Sequence, residues 1–272
     1  MKPHVPILTY HATYVAGAAY ALNDHVALAH DLQTIAALGL RICPLRDVAQ
    51  AVESGDFGSV AGCVALTFDD GSDFDFRDLP HPTWGVQRGM LGILADEAAA
   101  GKSPTLEATA FVIASPAARR EIDRKELIGE GWWNDDWWPR AERTGLLRIE
   151  SHSWDHNQAS LERTSTTAPR GTFKIRDEAE ADAEIRAASE YVRERRGRGG
   201  SVLFAYPYGD VSSYLADEYF PRVGATHGVR AAFTTEAAPV SPGANRWRLP
   251  RYVFRCDWNS EEGLRRILDE CR

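Results

Sequence analysis

Apolar residues in this chain fall into short runs separated by longer stretches with helical spacing, and the two kinds of segment alternate from near the start. Residues 5–10 form the first run and predict a strand. Asn23 or Asp24 can then cap a helix that runs through Leu38 and stops at Gly39, and Pro44 opens a second helix through Val52. Cys63-Val64-Ala65-Leu66-Thr67-Phe68 is a continuous β-rich run that reads as a buried strand. Beyond it, residues 86–100 predict a helix ending at Gly101, residues 108–113 a strand, and Ser115-Pro116 a cap with proline at the first helical position. Leu146-Leu147-Arg148-Ile149 and Val202-Leu203-Phe204 predict further strands. Between them, residues 177–195 predict a charged helix with Ile185, Ala188 and Val192 on one face. Residues 231–235 and 248–254 supply late strands, and Ser260-Glu261-Glu262 begins the last helix. Such alternation favours parallel strands with crossover helices. With no internal repeat and no linker to divide it, the chain reads as one domain over residues 1–272.

Three of these runs end on residues that carry chemistry. The run closing at Phe68 continues into Asp69-Asp70-Gly71, two adjacent carboxylates on a turn that glycine allows. Adjacent carboxylates repel unless a positive group stands close or their roles are split. By itself the segment fits an ordinary Asp-Asp-Gly turn equally well. The run closing at Ile149 leads into Glu150-Ser151-His152-Ser153-Trp154-Asp155-His156-Asn157, whose two imidazoles stand four residues apart and can point at one ion. Asp70, His152 and His156 together make two nitrogen ligands and one oxygen ligand with a fourth position open, the catalytic rather than the structural zinc pattern. The run closing at Phe204 continues into Ala205-Tyr206-Pro207-Tyr208-Gly209-Asp210, where proline sets the backbone and glycine permits close approach to a ligand.

Residues 67–71, 152–156 and 205–209, in that order, resemble the first three motifs of the polysaccharide deacetylases with a NodB-type domain, carbohydrate esterase family 4. The likeness extends from Pro6-Ile7-Leu8-Thr9-Tyr10-His11 to Trp247-Arg248-Leu249-Pro250-Arg251. It implies a distorted (β/α) barrel with its active site at the strand C-terminal ends and a divalent metal, zinc before cobalt or manganese. It further implies Asp69 as general base, Asp70, His152 and His156 as metal ligands, and the backbone N–H of Tyr208, on the turn begun by Pro207, as an oxyanion donor. The chemistry expected is attack of activated water on an acetyl carbonyl of an N-acetylated sugar or polysaccharide. O-acetyl esters, small amides, or carbohydrate binding without catalysis stand as the alternatives.

Two departures from the family pattern bear on the mechanism. Many members carry an arginine two residues before the proline of the third motif, where it orients the catalytic aspartate; here that residue is Ala205. Arg251 is the candidate replacement. The late histidine that serves much of the family as general acid has no counterpart after His227. His11, at the C-terminal end of the first predicted strand, is placed to supply the proton, because barrel active sites gather at that rim.

Gly131-Trp132-Trp133-Asn134-Asp135-Asp136-Trp137-Trp138 is the most unusual local composition. Two of its indoles, Trp133 and Trp137, are expected as substrate walls and the others as core, with Asn134, Asp135 and Asp136 able to bond sugar hydroxyls. A formal net charge of -8 argues against a nucleic-acid partner, which requires a basic surface. Met1-Lys2-Pro3-His4-Val5 enters the first strand without an apolar leader, and no stretch is long enough to span a membrane, so the chain as written reads as cytoplasmic with export open. Cys43, Cys63, Cys256 and Cys271 form no paired metal motif. The composition leaves the oligomeric state open.

Overall fold

The computed structural model describes residues 4–101, 105–200 and 202–269, so Met1-Lys2-Pro3 and Cys271 lie outside the described residues. In the first half, β1 (Ile7–Tyr10), α1 (Asp24–Ala37), α2 (Leu45–Ser54) and β3 (Cys63–Phe68) follow the order read from the sequence, and a two-residue strand that it did not predict, β2 (Arg41–Ile42), stands between the two helices. Asn23 caps α1, its side chain accepting the His25 and Val26 N–H groups. A hairpin of β4 (Leu79–His81) and β5 (Gly85–Gln87) precedes α3 (Met90–Ala99). The helix expected from residue 86 therefore starts four residues later. Val86 and Gln87 are taken by antiparallel pairing with Pro80 and Leu79. Gly89 then approaches the Arg77 backbone so closely that a Cβ would lie 2.7 Å from its carbonyl oxygen.

Next come β6 (Ala108–Val112), α4 (Pro116–Glu126) with the expected Ser115 cap, α5 (Trp138–Thr144) and β7 (Leu147–Ser151). The charged helix is α6 (Glu178–Ala181) and α7 (Ala187–Arg195) joined by a π-helical turn, Asp182–Arg186. The chain ends with β8 (Val202–Ala205), α8 (Phe220–His227), β9 (Val229–Phe233), β10 (Tyr252–Val253) and α9 (Glu261–Asp269).

Seven strands follow the order β10-β1-β3-β6-β7-β8-β9, every pairing parallel, and β2 adds to β3 beside them. Buried on both faces, β1, β3, β6 and β8 are apolar except for Thr9, Thr67 and Thr109, whereas β7 carries Arg148 and Glu150 and β9 carries Arg230. Leu8, Leu66, Ala108 and Leu147 point to the helices and join Leu28, Ile35, Leu94 and Ala188. Their neighbours Ile7, Ala65, Phe111, Leu203 and Phe233 point the other way, into a second cluster.

The late strand expected over 248–254 is split. Leu249 bridges to Phe233 of β9, whereas Tyr252 and Val253 pair with Leu8 and Thr9 of β1. Pro250, which has no N–H to give a ladder, stands at the switch. The segment thus joins the two ends of the curled sheet and makes it a distorted (β/α) barrel. Arg251 sits at this seam. No helix among the described residues is long and apolar enough to cross a membrane.

Candidate metal and catalytic centre

The site is assembled where β3, β7 and β8 end. Asp69 still belongs to the ladder, its N–H donating to the Tyr10 carbonyl at 3.0 Å, and its side chain is buried. Asp70 and Gly71 both turn left-handed, with φ of 78°. Aspartate tolerates this region better than most residues. Gly71 is required for a second reason: a Cβ there would lie 2.5 Å from Val112 Cγ1 and 2.9 Å from Val112 Cα. The turn thereby packs flat on β6 and presents Asp70 to the strand ends.

His152 continues from β7, donating its N–H to the Val112 carbonyl at 2.9 Å. Beyond it the chain leaves regular structure, with Ser153, His156 and Asn157 all at positive φ. The four-residue spacing of the two histidines is therefore spanned by an irregular loop and not by a helical turn. Polar bonds hold this loop: the Ser153 hydroxyl accepts the His156 N–H at 2.9 Å, and Glu184 accepts the Trp154 N–H at 3.1 Å. Trp154 packs edge-on against Tyr191 and anchors the loop from behind.

His152 Nδ1 lies 2.9 Å from the Ala205 carbonyl, which can only accept, so the ring carries its proton there and leaves the Nε2 lone pair free. That Nε2 and the Nε2 of His156 each stand 3.7 Å from Asp70 Oδ1. Donor atoms of the three residues all lie within 4.8 Å of one another. Burial pushes the two imidazoles down to about 3 and about 4, so both are neutral lone-pair donors at pH 7. Two neutral imidazoles and one carboxylate, with a ring N–H already tied to a carbonyl, fit a divalent cation.

Asp69 is held differently. Arg251, fully buried, grips its carboxylate through two parallel bonds of 2.7 and 2.8 Å. The same guanidinium donates to the Thr234 carbonyl at 3.1 Å and the Thr67 hydroxyl at 3.2 Å, and lies over the Phe111 ring. Burial is the largest single influence and would raise the Asp69 carboxyl, but the charge and hydrogen bonds of Arg251 together with His152 and His11 outweigh it and hold the group well below the usual carboxylate range. Ala205 leaves the third motif without its arginine; the guanidinium arrives from the barrel seam instead.

A cavity of about 480 Å³ opens over these groups, and His11, Trp133, Tyr208, Glu126 and Gln158 are among its walls. The His11 backbone N–H donates to Asp24 Oδ2 at 2.7 Å, and its ring Nδ1 is buried without a hydrogen-bond partner among the described residues. Tyr208 adopts φ of 60° and packs its ring 4.5 Å from that of His156. Pro207 is buried beneath the turn and does not face the cavity; it shapes the backbone that Tyr208 exposes. Gly209 is equally constrained, since a Cβ there would meet the Thr235 side chain and backbone, with Cβ at 2.7 Å.

Trp133 takes a wall position and donates from Nε1 to the Asp70 carbonyl at 3.1 Å. Trp137 does not. It is fully buried, stacked on Phe76 at 5.6 Å and set edge-on to Trp138, because it opens α5 under the core. Trp137→Ala is accordingly expected to lower unfolding free energy by about 3–5 kcal/mol in a denaturant titration. The polar residues of the tryptophan segment are also engaged within the protein: Asn134 with Asp73, Asp135 with Arg119 and Tyr191, Asp136 with Arg77. Asn134 and Asp136 tie this segment to the loop after the aspartates, and Asp135 ties it to α4 and α7.

Glu126 and Gln158 were not legible as site residues. Gln158 lies two positions beyond a histidine of the second motif, which is a weak signal; Glu126 lies 32 positions away in sequence and gives none.

The family model for polysaccharide deacetylase matches residues 59–221, which include all three motifs. No curated protein sequence matches the chain significantly. Among solved structures, IcaB from Ammonifex degensii superposes with a TM-score of 0.68 at 17% identity, over 99% of this chain and 97% of that one. The Streptococcus pyogenes deacetylase PplD, solved with acetate, gives 0.66 at 16% identity over 98% and 99% of the two chains. The de-N-acetylase from Aggregatibacter actinomycetemcomitans gives 0.64 at 14% over 97% and 99%. These likenesses bear on the fold, and the family match covers more than half of the sequence: the chain belongs to the polysaccharide deacetylase family.

Proposed function

We propose that this protein is a metal-dependent hydrolase that removes acetyl groups from an N-acetylated sugar or polysaccharide. The observation that carries this reading is the pairing of two differently equipped aspartates: Asp69 clamped by Arg251, and Asp70 facing the Nε2 atoms of His152 and His156. Asp70, His152 and His156 would hold the ion, with zinc preferred for a two-nitrogen, one-oxygen set. When bound, a divalent ion supplies Lewis acidity, polarising an acyl carbonyl and making water a stronger acid.

The protein's own groups supply the rest. Asp69 stays ionised, is fixed in orientation by its two arginine bonds, and stands 3.9 Å from His152 Nε2. It takes the proton of the attacking water. Held so far below the usual range, Asp69 is a weak base, which suits water already made acidic. The backbone of the Pro207–Gly209 turn, with Tyr208 at its centre, lines the side where the carbonyl oxygen gains charge. His11, which lines the same cavity, protonates the departing amine. Trp133 offers a flat face to the sugar.

Metal analysis followed by acetate release from chitooligosaccharides, acetylxylan and small N-acetyl compounds tests the reading. Acetate from N-acetylated substrates that stops on chelation and returns with zinc is expected. Zinc uptake with no acetate from any of the panel would leave a carbohydrate-binding protein in its place.

A further inference from the structure

We propose that Gln158 is the positioning residue of the ligand cluster: oriented by Glu126, its amide oxygen fixes the tautomer of His156 and clamps the Tyr208 turn beside it. The proposal rests on the reading of Asp70, His152 and His156 as ligands.

Gln158 stands at the cavity wall and reaches three parts of the fold. Its Nε2 lies 2.5 Å from Oε2 of Glu126, the last residue of α4. A carboxylate oxygen accepts, so the amide nitrogen must face Glu126 and the amide oxygen must face the other way. There Oε1 lies 2.9 Å from His156 Nδ1 and 2.7 Å from the Tyr208 hydroxyl. An amide oxygen cannot donate. His156 therefore carries its proton on Nδ1 and leaves the Nε2 lone pair 3.7 Å from Asp70 Oδ1.

The two histidines reach the same tautomer by unequal means. His152 is fixed by the Ala205 backbone carbonyl, which side-chain substitution leaves in place. His156 depends on one side chain, itself depending on another. Tyr208 depends on it too: at φ of 60° its backbone occupies a region costly for an aromatic residue, and the hydroxyl bond to Gln158 helps hold it there. Removing Gln158 thus loosens a ligand and the neighbouring turn together.

The test uses the metal-free protein. Nitrogen-15 NMR of labelled histidine reads the His156 tautomer, and titration against a chromophoric chelator reads zinc affinity. Gln158→Leu is expected to give mixed His156 tautomers and to weaken zinc about 10–100-fold, with an unchanged melting temperature. Exchanging the pair, Glu126→Gln with Gln158→Glu, is expected to return both readouts to the wild-type range, since the new amide donates to a carboxylate that accepts from His156 and Tyr208. A Gln158→Leu variant that keeps the Nδ1–H tautomer and the affinity of a zinc-binding wild type overturns the role of Gln158. A folded exchange variant that recovers neither readout overturns the role of Glu126. Absence of zinc uptake by the wild-type protein overturns the ligand reading itself and is seen separately.

Discussion

Replacing Asp69 by asparagine is expected to lower kcat for acetate release by about 10²–10⁴-fold, the range of a lost general base, and to leave bound zinc at the wild-type ratio. The substitution keeps size and shape and removes the ability to take a proton; it also gives up the charge and one of the two acceptors that Arg251 grips, so a loss of stability accompanies it and the kinetics are read on the folded fraction. It leaves Asp70, His152 and His156, whose donor atoms converge without Asp69, untouched. Single-turnover kinetics and metal analysis on the same preparation separate the two aspartates. Loss of zinc alongside activity would make Asp69 a ligand, and an unchanged rate would remove it from the reaction. The converse variant, Asp70→Asn, is expected to lose both metal and rate.

Arg251→Ala has two expected effects, read by different experiments. The first is on stability. The guanidinium is fully buried and the carboxylate it grips is nearly so, and deleting one partner of such a pair costs about 3–5 kcal/mol. Denaturant titration measures this. The second is on pH dependence. Burial is the largest influence on Asp69 and pushes its carboxyl up, while Arg251 is the largest of the groups that reverse that push. Without the guanidinium the carboxyl rises, so the acid limb of the kcat/KM profile moves to higher pH. Zinc content stays the same, because Arg251 contacts Asp69 and not the three convergent donors. Arg251→Lys restores charge but not two parallel bonds, and its activity falls between the two. An Ala variant with the wild-type acid limb and unfolding free energy would show that Asp69 is oriented by other groups.

Much of this centre could be read in the sequence because its chemistry is local. Asp69-Asp70-Gly71 and His152 to His156 each lie within five residues of chain at a strand end, the first after an unbroken apolar run and the second after a run interrupted by Arg148, so the strand ends fixed their placement. Arg251 was named only because a partner for Asp69 was missing at Ala205; nothing near Arg251 in sequence marks it as buried. What decided its place was closure of the barrel, a contact between residues 182 positions apart.

The errors have the same origin. Val86 and Gln87 look helical beside Leu91 and Leu94, yet pairing with residues 79 and 80 claims them for a hairpin. Trp133 and Trp137 are alike in composition, and only the start of α5 sends one to the cavity and the other under it. The π-helical turn at Asp182–Arg186 left no mark either, since Ile185, Ala188 and Val192 stay buried through it.

The seam at Leu249, Pro250, Arg251 and Tyr252 has a consequence for how the enzyme fails. The residues that zip β9 to β1 flank Arg251, so the segment that completes the barrel also carries the guanidinium that grips Asp69, the proposed base. A chain with every other strand in place but this segment undocked would still gather its two histidines and Asp70, and would be inert. Any change that undocks this segment is accordingly expected to cost activity while the helices remain, which activity and far-ultraviolet circular dichroism followed on one sample would separate.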